Sequence, residues 1–259
     1  MAFSIGSLIS LLSDFIWNVF RVGGFYMVVP IFGNQLIPAR VRILLAAATA
    51  LALVPILGSA PLVTEWGAQQ IGHLVVQSLM GVGLGFATVI FFHIFVIAGQ
   101  FIGMQMGLGF AAMVDPGNGI QVTVWSQFFL MLVTLSFLAI NGHLALLEIL
   151  VTGFSLYPIG TAFDMTTFIW QVVSLGGWMF LGGALLALPA VVALLIVNIA
   201  FGVMNRSAPQ LNVFSLGFPF GLMFGLIIIW FLLSNWSDQF TGLVSEFTLL
   251  MQDHFKVSS

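Results

Sequence analysis

WGAQQIGHLVVQSLMGVGLGFATVIFFHIFVIAGQFIGMQMGLGFAAMV, Trp66 to Val114, runs for 49 residues without one Asp, Glu, Lys or Arg. A helix crosses the roughly 30 Å hydrocarbon core of a bilayer with about 20 apolar residues. Wound as a single helix, this run would measure roughly 73 Å, more than twice that thickness. It has to break or leave the membrane. Its apolar residues are continuous rather than alternating, which excludes the strands of a β-barrel. The run therefore sets the fold class as all-α, with helices made for burial rather than for water.

The rest of the chain agrees. Five basic and eight acidic residues are the only charges among 259. A soluble domain of this length would carry roughly 65. Apolar residues make up 61%, and the mean hydropathy is +1.18. So few charges cannot tile a water-exposed surface, which excludes a cytosolic enzyme, a nucleic-acid binder and a disordered scaffold. Cysteine is absent, so no disulfide, thiolate metal site or cysteine nucleophile is expected. The start, MAFSIGSLIS, lacks the basic segment of a secretory signal, so the first apolar stretch is expected to be retained. The reading is one integral membrane domain over residues 1–259.

Proline and glycine divide it. Six main helices are expected near 5–30, 40–58, 67–101, 122–157, 165–201 and 214–235, with a short amphipathic tail at 237–255. The charge-free run from Met165 to Asn205 is again too long for one crossing, and Gly176, Gly177, Gly182, Gly183 and Pro189 are its candidate break points. Arg40, Arg42 and Arg206 fall in loops that six crossings would place on one side. The positive-inside rule makes that side cytoplasmic and puts both termini outside, although Lys256 opposes the assignment.

Three features stand out. Gly99, Gly103 and Gly107 are spaced four apart, as are Gly217, Gly221 and Gly225, and Gly81 and Gly85 repeat the interval. On a helix such glycines share a face on which another backbone can lie closely, in this chain or in a neighbour. The segment MQMGLGFAAMVDPGNG, Met104 to Gly119, is too rich in glycine for a good helix yet apolar up to Asp115. Its flexible methionines suit a seal that opens and recloses; the plainer alternative is a helix-to-turn connection ending in a surface turn at Asp115-Pro116-Gly117-Asn118. Finally, Asp14, Arg21, His73, His93, His143 and Glu148 are ionisable groups inside apolar runs. Asp14 and Arg21, seven apart, share a face and suit a mutual or inter-subunit pair. Glu148 and His143 do not converge. No metal-ligand spacing, nucleophile elbow or P-loop accompanies them, so neither catalysis nor a bound cofactor is expected.

Four passages carry a family resemblance: RVGGFYMVVPIFGNQLIPARVRILLA (Arg21 to Ala46), GFAAMVDPGNGIQVTVWSQF (Gly109 to Phe128), NGHLALLEILVTGFSLYPIG (Asn141 to Gly160) and MNRSAPQLNVFSLGFP (Met204 to Pro219). Together they resemble FliR, the R subunit of the flagellar type III protein-export gate, across nearly the whole chain. The resemblance implies a P-like helical portion, residues 1–160, fused to a Q-like helical hairpin with an amphipathic tail, residues 161–259. It implies assembly with P-like and Q-like membrane subunits and other export-apparatus membrane proteins, contact with lipid and with unfolded exported polypeptides, and none with nucleic acid. The expected location is the bacterial inner membrane, in the flagellar basal body, with part of the assembly raised into the periplasm. Residues 104–119 match the family's plug loop, so Met104, Met106, Gly107, Gly109, Phe110, Met113, Asp115, Pro116 and Gly117 become candidate gating residues. Gly99, Gly103, Gly217, Gly221 and Gly225 are candidates for helix packing or a subunit interface, and Arg206, Pro209 and Asn212 for a cytoplasmic loop. Three rivals stay open: the R-type subunit of a virulence-associated type III system, a purely structural subunit, and a secondary transporter or small-solute channel with polar groups meeting at mid-membrane.

Overall fold

A break in the fourth expected helix shows how this chain punctuates its apolar runs. In the computed structural model, which describes residues 5–33, 37–57, 67–109, 123–161, 163–207 and 213–254, the stretch expected as one helix over 122–157 is two. Asn141 adopts the left-handed conformation, φ 58° and ψ 32°. Few residues other than glycine do so, asparagine among them, and the turn it makes stops one helix and starts the next. Eight helices result among the described residues: α1 (Ile5–Val28), α2 (Ala39–Leu53), α3 (Ala68–Gln105), α4 (Val124–Ala139), α5 (Gly142–Leu156), α6 (Met165–Ser207), α7 (Val213–Ser234) and α8 (Trp236–His254).

The expected breaks in α6 do not occur. It is one helix of 43 residues with Pro189 inside it, about 64 Å long at 1.5 Å per residue. Gly182 and Gly183 serve packing instead: a Cβ on Gly183 would stand 2.9 Å from the Cβ of Ile97. Helix α3, with 38 residues, reaches about 57 Å. By contrast α2 has only 15 residues, about 22 Å, and falls short of the core thickness. Among the described residues four helices are long and apolar enough to cross a membrane, or five if α4 and α5 are counted as one span. The orientation drawn from the basic residues counts six crossings, α2 among them, against these four or five helices among the described residues.

The chain divides into two compact units. The first comprises Met1–Ile90, Asn141–Gly176 and Leu249–Ser259, the second Phe91–Ile140 and Gly177–Thr248. In the first, α1 lies backbone to backbone on α3. A Cβ on Gly81 would collide with the Arg21 carbonyl oxygen, one on Gly24 with that of Ser78, and one on Gly85 would stand 2.9 Å from that of Phe25. Helix α5 joins them through Gly153, where a Cβ would stand 2.5 Å from the Leu84 side chain. Phe168, at the start of α6, lies edge-on to Tyr157 at 5.7 Å and fills the space left by Gly83. Upstream of it, Asp164 accepts from the Thr167 hydroxyl and the Thr166 N–H, and the Thr167 bond first of all holds its carboxyl below the usual range.

A buried cation organises this unit. Arg21 is fully enclosed. Its Nε donates to Gln77 Oε1 at 2.7 Å, Nη1 to the Gly153 carbonyl at 3.1 Å, and Nη2 to the Tyr157 carbonyl at 2.8 Å and to Met80 Sδ at 3.2 Å. The guanidinium carbon sits 4.3 Å from the centre of the Phe154 ring. The guanidinium therefore goes to α3 and to the C-terminal end of α5, where the last carbonyls and the negative end of the helix dipole attract a cation. The pair with Asp14 suggested by their spacing is not what these contacts describe.

The second unit is aromatic. Phe91, Phe92 and Phe95 of α3 meet Phe137 of α4 and Phe240 of α8 at centroid distances of 5.3–6.4 Å. Trp236 stacks on Phe240 and Phe129 and donates from its indole to Ser136 Oγ at 2.8 Å. The tail up to Thr248 thus packs within this unit, where Glu246 accepts from the Trp178 indole at 2.7 Å.

Two stability outcomes follow. Gly81→Ala, whose methyl meets rigid backbone, is expected to cost about 1–3 kcal/mol, whereas Gly23→Ala, with nothing within 4 Å, is expected to be neutral or to gain up to about 1 kcal/mol. Arg21→Met takes the donor from the Tyr157 carbonyl and the Gln77 amide oxygen, while the Gly153 carbonyl keeps the Tyr157 N–H, and is expected to cost about 2 kcal/mol or more, at 1–3 per buried group. Arg21→Lys keeps the charge but not the planar fork and is expected to resemble Arg21→Met rather than the wild type. Thermal unfolding of the detergent-solubilised protein, followed by tryptophan fluorescence, measures all four.

Candidate functional site

The C-terminal end of α3 gathers most of the candidate site residues that fall within the described residues. Gly99 and Gly103 face the start of α4. A Cβ on Gly99 would stand 2.7 Å from the Ser126 Cα, and one on Gly103 would stand 2.8 Å from the Thr123 Cβ. Such contact lets small hydroxyl residues bond across the two helices. The Thr123 hydroxyl donates to the Gly99 carbonyl at 3.1 Å, and Ser126 Oγ to the Val96 carbonyl at 2.9 Å. Gln100 Oε1 accepts from the Thr123 N–H at 3.0 Å and from Ser126 Oγ at 3.1 Å. Thr123 also caps α4 by accepting from the Ser126 N–H. Glycine spacing pointed to this face. The polar clasp built on it had a signal too, the T-x-x-S at the start of α4.

Beyond Gln105 the helix ends. Met106 donates its N–H to the Ile102 carbonyl and Gly107 to that of Met104. Gly107 turns the chain with φ +86°, a conformation strained for any side chain. Met106 is buried to 2% exposure and Met104 is 58% exposed, so these two candidate sealing side chains face apart. Met106 fills the groove of the second glycine ladder: a Cβ on Gly225 of α7 would stand 2.7 Å from the Met106 Cγ and Sδ. Gly221 is looser, its Cβ position 3.6 Å from the Met106 carbonyl oxygen. The tight rung is therefore Gly225 rather than the middle of the ladder. Phe218, one residue after Gly217, lies 3.3 Å from where a Cβ on Gly107 would be. Asn198 Nδ2 donates to the Gln105 carbonyl at 3.2 Å, adding α6 to the same corner.

Gly109 is the last described residue of this segment, and its nearest neighbour is Met104. Phe110, Met113, Asp115, Pro116 and Gly117 lie outside the described residues, as do Pro209 and Asn212. Arg206 is exposed near the end of α6. Of the ionisable groups, His73, His93 and Glu148 are exposed and His143 is half-buried. Among the described residues no three His, Asp or Glu side chains form a group able to hold a metal ion. The described chain leaves α3 beside α7 and resumes against α3 at Thr123.

The family model for bacterial export proteins, family 1, matches residues 12–247. The flagellar biosynthetic protein FliR of Escherichia coli strain K12 is 35% identical over 245 residues, covering 95% of this chain and 94% of its own. FliR of Buchnera aphidicola from Acyrthosiphon pisum is 33% identical over 235 residues, 90% of each chain. FliR of Aquifex aeolicus is 30% identical over 247 residues, 92% of this chain and 88% of its own. The chain belongs to the bacterial export proteins, family 1, within which it groups with the flagellar biosynthetic proteins FliR.

Proposed function

We propose that this multi-pass membrane protein is a subunit of the flagellar type III export gate, in the inner membrane at the flagellar basal body, and that it forms part of the channel wall for unfolded polypeptides. Its partners on this reading are P-like and Q-like membrane subunits and other membrane proteins of the export apparatus. Residues 1–160 would correspond to the P-like portion and 161–259 to the Q-like hairpin with its tail; the contact of Phe201 in α6 with Phe220 in α7, at 5.4 Å, supports such a hairpin. The relatives' flagellar names favour this cargo over virulence effectors. A small-solute transporter is less well supported, because the buried polar groups described here are engaged in helix-to-helix bonds.

Residues 104–119 act, in this proposal, as a plug that helps close the channel. The observation that carries it is the seat of Met106 against Gly225, where a flexible thioether occupies a groove with no side chain of its own. Flexible packing of that kind holds a segment in place and lets it go without breaking a hydrogen bond. The glycines at 107 and 109 leave the neighbouring backbone free to move. Gating is passive, since a dewetted apolar constriction resists ion leakage, and the driving energy comes from other components.

Deleting Phe110 to Asn118 while keeping Met106 and Thr123 is expected to leave the complex assembled and to raise its ion conductance. Unchanged conductance in an intact complex would sink the plug. Gly225→Leu is expected to displace Met106 and give a leak of the same kind, while Gly225→Ala has a smaller effect because the Met106 side chain can swing aside. Conductance of the reconstituted complex, with co-purification of its subunits as the assembly control, reads both variants.

A further inference from the structure

We propose that a groove bounded by α1, α2 and one turn of α3 binds an acyl chain of an anionic phospholipid, with the lipid phosphate held at Arg42. The groove lies wholly within the first unit and encloses about 540 Å³. Phe15, Val19, Phe20, Met27, Ile43 and Val82 give it hydrocarbon walls. Its two glycines behave differently. Gly24 is pressed onto the Ser78 backbone, whereas a Cβ on Gly23 would have nothing within 4 Å. Among the described residues Gly23 therefore serves no helix contact. It leaves space.

The size of that space selects the occupant. A helix about 10 Å across would enter so small and open a groove only with its side chains. The volume falls instead in the range of about 300–1,000 Å³ typical of clefts for small ligands. A narrow, unbranched methylene chain fits it and finds the apolar contacts it needs. Met27, Ile43 and Leu44 beside the groove are exposed, so it opens onto a surface that lipid can wet.

The charges at its mouth select the headgroup. Arg42 lines the groove, and its Nη2 donates to the Ile37 carbonyl at 3.0 Å, which orients the guanidinium at the N-terminal end of α2. Arg40 is exposed in the same turn, the first turn of α2 carries no acidic residue, and Pro38 at the cap makes no side-chain bond to the helix. Two guanidinium groups and the positive end of a helix dipole together favour an anion. Basic pockets between membrane helices take phosphate headgroups in this way. A neutral zwitterionic lipid would fill the groove with its chain but gain less at Arg42.

The whole gate complex, exchanged against phosphatidylglycerol or phosphatidylcholine and examined by native mass spectrometry, tests this. The wild type is expected to retain one more phosphatidylglycerol than Gly23→Leu, whose side chain fills the groove. Arg42→Gln is expected to keep lipid binding but to lose the preference for phosphatidylglycerol roughly tenfold, as the charge-assisted bond goes. Equal retention and equal preference in all three proteins would overturn the proposal. So would unchanged lipid retention with loss of membrane partners in Gly23→Leu, an outcome that makes the groove a protein interface. If Gly23→Leu fails to assemble, the Arg42→Gln preference decides alone, since that change removes charge and little bulk.

Discussion

A guanidinium enclosed among helices is the constraint around which the first unit is arranged. Arg21 carries a full charge into an interior where isolated ions are costly, and its partners are two backbone carbonyls, an amide oxygen, a thioether and a ring face. That set works only if α1, α3 and the end of α5 meet at one point. The glycines make the meeting possible. The Arg21 carbonyl oxygen lies against Gly81 while its side chain passes Gln77 and Met80 on the same helix. One residue thus fixes the register of α1 on α3 with its backbone, and the placement of α5 with its side chain.

The second unit reaches close packing by other means. Hydroxyl residues and aromatic rings replace the cation there, and Gln100 with Thr123 and Ser126 bonds α4 to α3 where glycine has brought them close. Through both units α3 is the helix most enclosed by the rest of the chain. Its most apolar window is 67% buried, against 22% for α6 and 17% for α7. All three are similarly hydrophobic. Mean hydropathy therefore says that a helix avoids water, and nothing about whether protein or lipid takes the water's place. The open faces of α6 and α7, with Trp170, Phe180, Leu185, Ile196, Trp230 and Phe231 exposed, are the surface that a membrane or neighbouring subunits would cover.

How much of this was legible in the sequence depended on the range of the interaction. The all-α class and the glycine faces follow from local composition and spacing, which the chain carries on its surface as plain pattern. The break at Asn141 was legible as well, since Asn-Gly is a turn signal, but the apolar run around it masked the punctuation. Pro189 misled in the opposite sense, because a helix with apolar neighbours on its other faces can continue past one missing hydrogen bond. The partners of Arg21 were beyond reach, lying 56 to 136 positions away. Spacing along one helix could offer only Asp14. The same limit applied at the α3 terminus, where Met104 and Met106 look equivalent in sequence and only the approach of Gly225 separates them.

The long sequence separation at Arg21 also has a meaning in time. The carbonyls of Gly153 and Tyr157 follow it by 132 and 136 residues, a delay of roughly 7 to 27 seconds at a ribosomal rate of about 5–20 residues per second. For that interval the arginine has left the ribosome and its final acceptors do not exist. Water, lipid phosphate or a chaperone must hold it meanwhile. Helix α1 can therefore settle to its final depth only after α5 has been made, so the first helix synthesised is among the last to be fixed in place.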